Sequence, residues 1–132
     1  MIRVFRSEIF TQQLSEDEAG QIAADFRQYK ETGVPASYFG RDAPYDHPNT
    51  LPSVRAECVM HLHLDDGRQY WDARRPQYDH TSDDHLVYCR GFDEADCYLL
   101  MATLKPNAHT QARNNSIMAN LATMAAKFRE RY

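Results

Sequence analysis

The chain has 132 residues, 42% of them hydrophobic and 26% charged, which suits a soluble globular protein that buries a core without disulfides. No apolar run reaches the ~20 residues a membrane helix needs, and the opening MIRVFRSEIF, charged beside Met1 and lacking an apolar core, is not a secretory signal. The net charge of −4 argues against a free-standing nucleic-acid binder, because phosphate contacts supply most non-specific affinity. Residues 105–132 are the exception, with five Lys/Arg against one acid. Lys127, Arg129 and Arg131 suit either an RNA contact or the end of a helix, where cations are favoured. Cys58, Cys89 and Cys97 are odd in number and lack CxxC spacing, so they read as reduced, mostly buried thiols of a cytoplasmic protein.

In chain order, residues 2–10 read as a first strand, Ile2 and Val4 alternating with Arg3 and Phe5. Ser15 and Glu18 make a capping box ahead of the stripe Ala19, Ile22, Ala23, Phe26 and Tyr29, and Gly33 with Pro35 ends that helix. Residues 34–52 are rich in proline and aromatics and read as an ordered loop, with Arg41, Asp42, Tyr45, Asp46 and His47 as a polar network or a plain Ω-loop. Residues 54–64 alternate strictly, Val54, Ala56, Cys58, Met60, Leu62 and Leu64 against Arg55, Glu57, Val59, His61 and His63, which predicts a strand. Asp65-Asp66-Gly67 predicts a hairpin turn into residues 68–71. Residues 72–84, DARRPQYDHTSDD, read as a mobile charged loop centred on Arg74 and Arg75.

Two strands follow, residues 85–90 and 97–104, joined by the turn FDEAD. The second has no charge and must be covered on both faces, which places it inside a sheet. A C-terminal helix starting near Thr110 presents Ile117, Leu121, Met124, Ala125, Phe128 and Tyr132 as one stripe. These elements predict an α+β domain over residues 1–132, an antiparallel sheet of about four strands with an N-terminal and a C-terminal helix packed on it.

Two groups of residues carry chemistry. His61 and His63 share a strand face with Glu57; a metal site would need a third and fourth ligand, for which Glu57, His85 and His109 are candidates without diagnostic spacing. The same pair suits proton transfer near neutral pH, or stands on a solvated sheet face with no role. Lys105, His109 and Arg113 follow the apolar strand at four-residue steps, supplying an ammonium, an imidazole and a guanidinium where a helix begins. That set meets the needs of phosphodiester cleavage, cations for the phosphate and an imidazole for the proton. Solvated Lys105 and an Arg113–Asp93 ion pair are the plain alternative. The cysteines lack an activating base and read as packing.

The segments FGRDAPYD (39–46), HLHL (61–64), HLVYC (85–89), FDE (92–94) and LKPNAHTQARNN (104–115), with the ending Phe128-Arg129-Glu130-Arg131-Tyr132, occur in an order that resembles the YafO family of bacterial type II toxins across essentially the whole chain. The resemblance implies a RelE-like fold with two N-terminal helices, the second of which would fall in the Pro-rich stretch. It implies a metal-independent mRNA interferase, an endoribonuclease working with the ribosome, needing no cofactor and neutralised by a small YafN-like antitoxin. Carried onto this sequence, it makes His63 or His109 base and acid, Lys105 and Arg113 the phosphate contacts, and His61, Tyr88 and Asp46 orienting groups, with Arg74 and Arg75 holding RNA. Competing readings are a RelE/ParE-like toxin that inhibits a protein target without cutting RNA, and a small His-x-His metal hydrolase.

Overall fold

The uncharged run Cys97–Leu104 forms strand β5 inside a five-stranded sheet, in the computed structural model that describes residues 1–68 and 70–132. With β1 (Arg3–Arg6), β2 (Phe39–Pro44), β3 (Met60–Leu64) and β4 (His85–Arg90), the sheet order is β1-β5-β4-β3-β2. β2 through β5 are antiparallel, but β1 lies parallel to β5, so the sheet has one more strand than predicted and is mixed. Helices α1 (Glu8–Gln13) and α2 (Glu16–Thr32) bring Phe10, Ala19, Phe26 and Tyr29 onto one face, around Leu62, Leu86, Tyr88 and Leu100. Helices α3 (Pro52–Ala56), α4 (Ala108–Ala112) and α5 (Asn115–Arg131) cover the other face, where Val87, Cys89, Met101 and Leu104 meet Val54, Ala108, Met118 and Leu121. Two layers of helix around one sheet explain why β4 and β5 are apolar on both sides.

Bulges keep the alternation of each strand matched to these two cores. Between Val87 and Tyr88 the pairing with β5 skips a residue, so that Met101 and Ala102 both belong to the α5 side. A second irregularity in β2 lets Phe39 and Asp42, three residues apart, take the same face. β1 stops at Arg6 because Ser7 caps α1, accepting a hydrogen bond from Phe10 N–H at 3.0 Å and donating one to the Met101 carbonyl at 2.6 Å. The expected strand over 2–10 is therefore a short strand followed by a helix. Where β1 no longer covers β5, the Gln13 amide does so, donating to Thr103 O at 3.0 Å and accepting from Thr103 N at 2.7 Å.

The expected capping box of α2 is present, with Gly33 at φ 77 closing the helix. Both N-terminal helices precede the Pro-rich stretch, and that stretch contains the edge strand β2. Its prolines fall outside residues 39–43 or at the strand's last position, where an edge strand tolerates them. The predicted strand 54–64 is a helix followed by a strand. Pro52 starts α3, Val54 is buried against the α5 side, and Cys58, at φ 54 and exposed rather than buried, turns the chain into β3. Asp65 and Asp66 accept from Gly67 N and Arg68 N, each at 2.8 Å, and among the described residues no tight hairpin forms there; β3 pairs instead with β4 across the intervening link. Gln69, in the middle of the expected 68–71 segment, lies outside the described residues. The C-terminal stripe resolves into the short α4 and the long α5, the latter capped by Asn114.

Residues 71–84 pack on the sheet edge. Arg41 N–H donates to the His80 carbonyl at 2.7 Å, Gln77 Nε2 to the Gly40 carbonyl at 2.8 Å and Trp71 Nε1 to the Thr81 carbonyl at 2.9 Å. A Cβ on Gly40 would lie 2.2 Å from the His80 carbonyl and 2.8 Å from the Trp71 ring, so only glycine lets this segment close on β2. Gly40→Ala is expected to cost about 1–3 kcal/mol, the usual cost of overpacking. The urea midpoint should fall with an unchanged slope. An unaltered midpoint would mean that the segment does not pack there.

Candidate active site

The β3–β4 register sets the site. His61 pairs with Val87 and His63 with His85, so the three imidazoles stand on one sheet face, the α5 side. Ring centroids are 5.2 Å apart for His61–His63, 4.6 Å for His61–His85 and 4.3 Å for His63–His85. His109, in the first turn of α4, reaches within 5.2 Å of the His85 ring. Tyr45, just past β2, stacks on His61 at 4.2 Å and places its hydroxyl 3.4 Å from His85 Nδ1. These groups border a pocket of about 620 Å³ that Arg41, Asp46, His47, Arg113 and Met118 also line.

His109 is the best-supported proton-transfer group. Its Nδ1 lies 2.6 Å from Asp83 Oδ1, and the same oxygen accepts from the His109 backbone N–H at 2.9 Å. The carboxylate fixes both the start of α4 and the tautomer of the ring, leaving Nε2 with the free lone pair. The backbone and side-chain hydrogen bonds from His109 hold the Asp83 carboxyl below its ordinary range, so it stays anionic. Asp83 went unremarked in the sequence, where nothing marks a partner 26 residues away.

The three strand imidazoles, His61, His63 and His85, are neutral at pH 7. Burial, reinforced by its imidazole neighbours, pulls His61 down to about 4; burial does the same for His63, also to about 4, and depresses His85 further. His63 Nδ1 lies 2.9 Å from Ser82 N and 3.0 Å from Ser82 O, so in the neutral ring it accepts from the N–H in the Nε2–H tautomer or donates to the carbonyl in the Nδ1–H tautomer. His61 Nδ1 and His85 Nε2 are buried without a partner among the described residues. Burial also pushes the Tyr45 phenol up, keeping its hydroxyl protonated.

The structure brings together some predicted residues and separates others. His61, His109, Arg113 and Asp46 line the pocket, and His63 lies beside it at 2% exposure. Glu57 ends α3 and pairs with Arg129 at 3.3 Å, away from the histidines. Lys105 is exposed between β5 and α4 and does not line the pocket, and α4 is one short turn rather than the start of a long helix. No Arg113–Asp93 ion pair occurs among the described residues. Tyr88 points to the opposite face, where its hydroxyl donates to Asp42 Oδ1 at 2.5 Å and accepts from Lys30 at 3.2 Å; at 2% exposure it cannot touch a substrate. The expected network around Arg41 and Asp42 is thus split, Asp42 turning to that face and Arg41 to the pocket. Arg74 and Arg75 are exposed, each paired with a loop aspartate, Asp72 and Asp79.

The depressed imidazoles give a pH expectation. An unfolded histidine titrates near 6.5, whereas His61 and His63 folded do so near 4, so between these values the unfolded chain binds more protons. Their contribution is fully present above about pH 6.5 and is lost as pH falls toward 4. Imidazole NMR signals of these rings should stay at their neutral shifts until pH approaches 4, while the urea midpoint declines over the same interval. Titration of both rings near 6.5 would refute this account.

Comparison with known proteins agrees with the expected family. A family model described as "Toxin YafO, type II toxin-antitoxin system" matches residues 27–130. The mRNA interferase toxin YafO of Escherichia coli (strain K12) is 39% identical over 132 residues, covering 99% of this chain and 100% of that protein. No solved structure matches. The match of sequence over nearly the full length, with the pocket residues inside the matched region, establishes that the chain belongs to the YafO family of type II toxin–antitoxin toxins.

Proposed function

We propose that this toxin is an mRNA interferase that cuts messages on the translating ribosome through the ribose 2′-hydroxyl, with His109 as general base and Arg41 and Arg113 at the phosphate. The observation that carries this reading is the pairing of an Asp83-oriented imidazole with two guanidinium-bearing side chains in one pocket. The similar E. coli toxin, named as an mRNA interferase, supplies the substrate class.

The steps follow from the chemistry of RNA. His109 Nε2 takes the 2′-hydroxyl proton, and Asp83 stabilises the imidazolium that forms. The 2′-oxygen attacks the adjacent phosphorus in line, giving a 2′,3′-cyclic phosphate and releasing the 5′-oxygen. Arg41 and Arg113 neutralise the charge that builds on the phosphorane-like transition state. His61, a neutral ring facing the pocket, donates a hydrogen bond toward the leaving oxygen where the more deeply buried His63 was expected to act. The 5′-oxygen leaves as a hydroxyl with a proton from pocket water, and the His109 imidazolium returns its proton to solvent. Because the nucleophile belongs to the substrate, the reaction needs no metal-activated water. Asp46 positions the nucleotide at the pocket rim, while Arg74, Arg75 and Lys105 make outer contacts with RNA backbone, message or ribosomal.

A YafN-like antitoxin would neutralise the toxin, and the reaction takes place in the cytoplasm, where ribosomes are. The antiparallel β2–β5 sheet with α5 across one face supports reading the fold as a RelE-like variant, extended by the parallel β1.

In a purified translation system, cleavage should require ribosomes and should survive a transition-metal chelator that spares the ribosome's Mg²⁺. His109→Ala should slow cleavage by about 10²–10⁴-fold, and Arg113→Leu by about 10²–10³-fold, with circular dichroism and antitoxin binding unchanged. Asp83→Asn should also be slow, since an amide does not stabilise the imidazolium. Full activity in both His109→Ala and Arg113→Leu would refute the assignment, and intact message in arrested cells would favour a protein target.

A further inference from the structure

The three imidazoles on the β3–β4 face have a property that the RNA reaction does not use. One nitrogen from each of His61, His63 and His85 can be chosen so that all three lie within 4.8 Å of one another. His61 Nδ1 and His85 Nε2 are buried with no hydrogen-bond partner among the described residues, and His85 is only 2% exposed. Two buried ring nitrogens left without a partner in one cluster call for a ligand that can satisfy them. From these atoms we infer that His61, His63 and His85 form a binding site for one divalent transition-metal ion of the zinc class.

The surrounding groups suit this role. A metal-binding imidazole usually donates its second N–H to a carbonyl, hydroxyl or carboxylate, which fixes the ring. In its Nδ1–H tautomer His63 donates to the Ser82 carbonyl at 3.0 Å, in place of accepting from Ser82 N–H at 2.9 Å, which leaves Nε2 for the ion. His85 Nδ1 has the Tyr45 hydroxyl at 3.4 Å, leaving the unpartnered Nε2. The Tyr45 ring stacked on His61 at 4.2 Å, tilted by 19°, holds the third imidazole in place. Three neutral nitrogen donors without carboxylate or thiolate select Zn²⁺, Co²⁺, Ni²⁺ or Cu²⁺ over Mg²⁺ and Ca²⁺. Tetrahedral coordination at ordinary Zn–N lengths needs the nitrogens roughly 3.3 Å apart, so small ring rotations must draw them inward. His61 and His85 line the pocket, so the ion keeps a position open to water on that side.

The test uses the tag-free, full-length chain after removal of adventitious metal. Titration with Co²⁺ should give the intense visible absorption of a four-coordinate ion at one equivalent per chain, and Zn²⁺ should abolish it. Calorimetry with Zn²⁺ should report the same stoichiometry. Tyr45→Phe should weaken binding by about 10–100-fold, the usual effect of losing a group that orients a ligand, and His61→Gln and His85→Phe should weaken it more. In the unaltered protein, Zn²⁺ should shift the ring NMR signals of these three histidines and not those of His47 or His80, a readout that needs no variant to fold. Absence of one-equivalent binding, a six-coordinate Co²⁺ spectrum, or perturbation confined to other histidines would overturn the site.

Discussion

The pairing of His63 with His85 across β3 and β4 is the constraint on which the site depends. A register slip of one residue would send His61 and His63 into the apolar core under α2 and bring Leu62 and Leu64 to the pocket. The sheet resists that slip because both faces are packed. Leu62 and Leu86 are fully buried against Phe26 and its neighbours, while Val87 is fully buried under α5. The imidazoles are therefore held in a dry environment by the burial of residues that alternate with them, and that burial keeps them neutral.

The opposite face carries its own polar device. Lys30 donates to Asp42 at 3.1 Å and to the Tyr88 hydroxyl at 3.2 Å, while Tyr29 and Tyr88 donate to Asp42 at 2.7 and 2.5 Å. The ammonium also lies within 5.5 Å of the Phe26, Tyr29, Tyr88 and Tyr98 ring centres. A part-buried ion pair adds little net stability, but its geometry ties α2 to β2 and β4 at once. It reinforces the register that aligns the histidines on the other side. Tyr88 thus serves the site through the backbone rather than through contact.

Much of this was legible in the sequence. The capping box, the uncharged β5, the β4 alternation and the stripe of α5 are local patterns, and local patterns are what sequence periodicity reports. The errors arose where two patterns overlapped. Val54, Ala56 and Cys58 continue the alternation of Met60, Leu62 and Leu64, yet Pro52 at a helix start and the positive φ of Cys58 divide them. β2 was hidden by prolines that bracket rather than interrupt it. The parallel docking of β1 on β5 joins segments 94 residues apart and has no local signature. At the site, the residue types of His61, His63, His109 and Arg113 announce their chemistry; His85 and Arg41, visible only as a candidate ligand and a loop cation, and Asp83, with no signal at all, join them through strand register and loop closure. Tyr88 could not be assigned to a face until the pairing of β4 with β3 was known.

The charge distribution bears on where the toxin works. Net charge is −4, and the exposed Arg74 and Arg75 are each paired with a neighbouring aspartate. Such a surface attracts free RNA weakly, since phosphate affinity grows with the number of uncompensated cations. Inside the pocket the balance differs: Arg41 and Arg113 line it together with the His61 and His85 rings, which burial keeps uncharged, and Asp83 is already committed to His109. Weak capture and a cationic pocket together favour a message already held in place by another body. That division of labour fits the proposed reading of an acidic nuclease acting on a message that the ribosome holds.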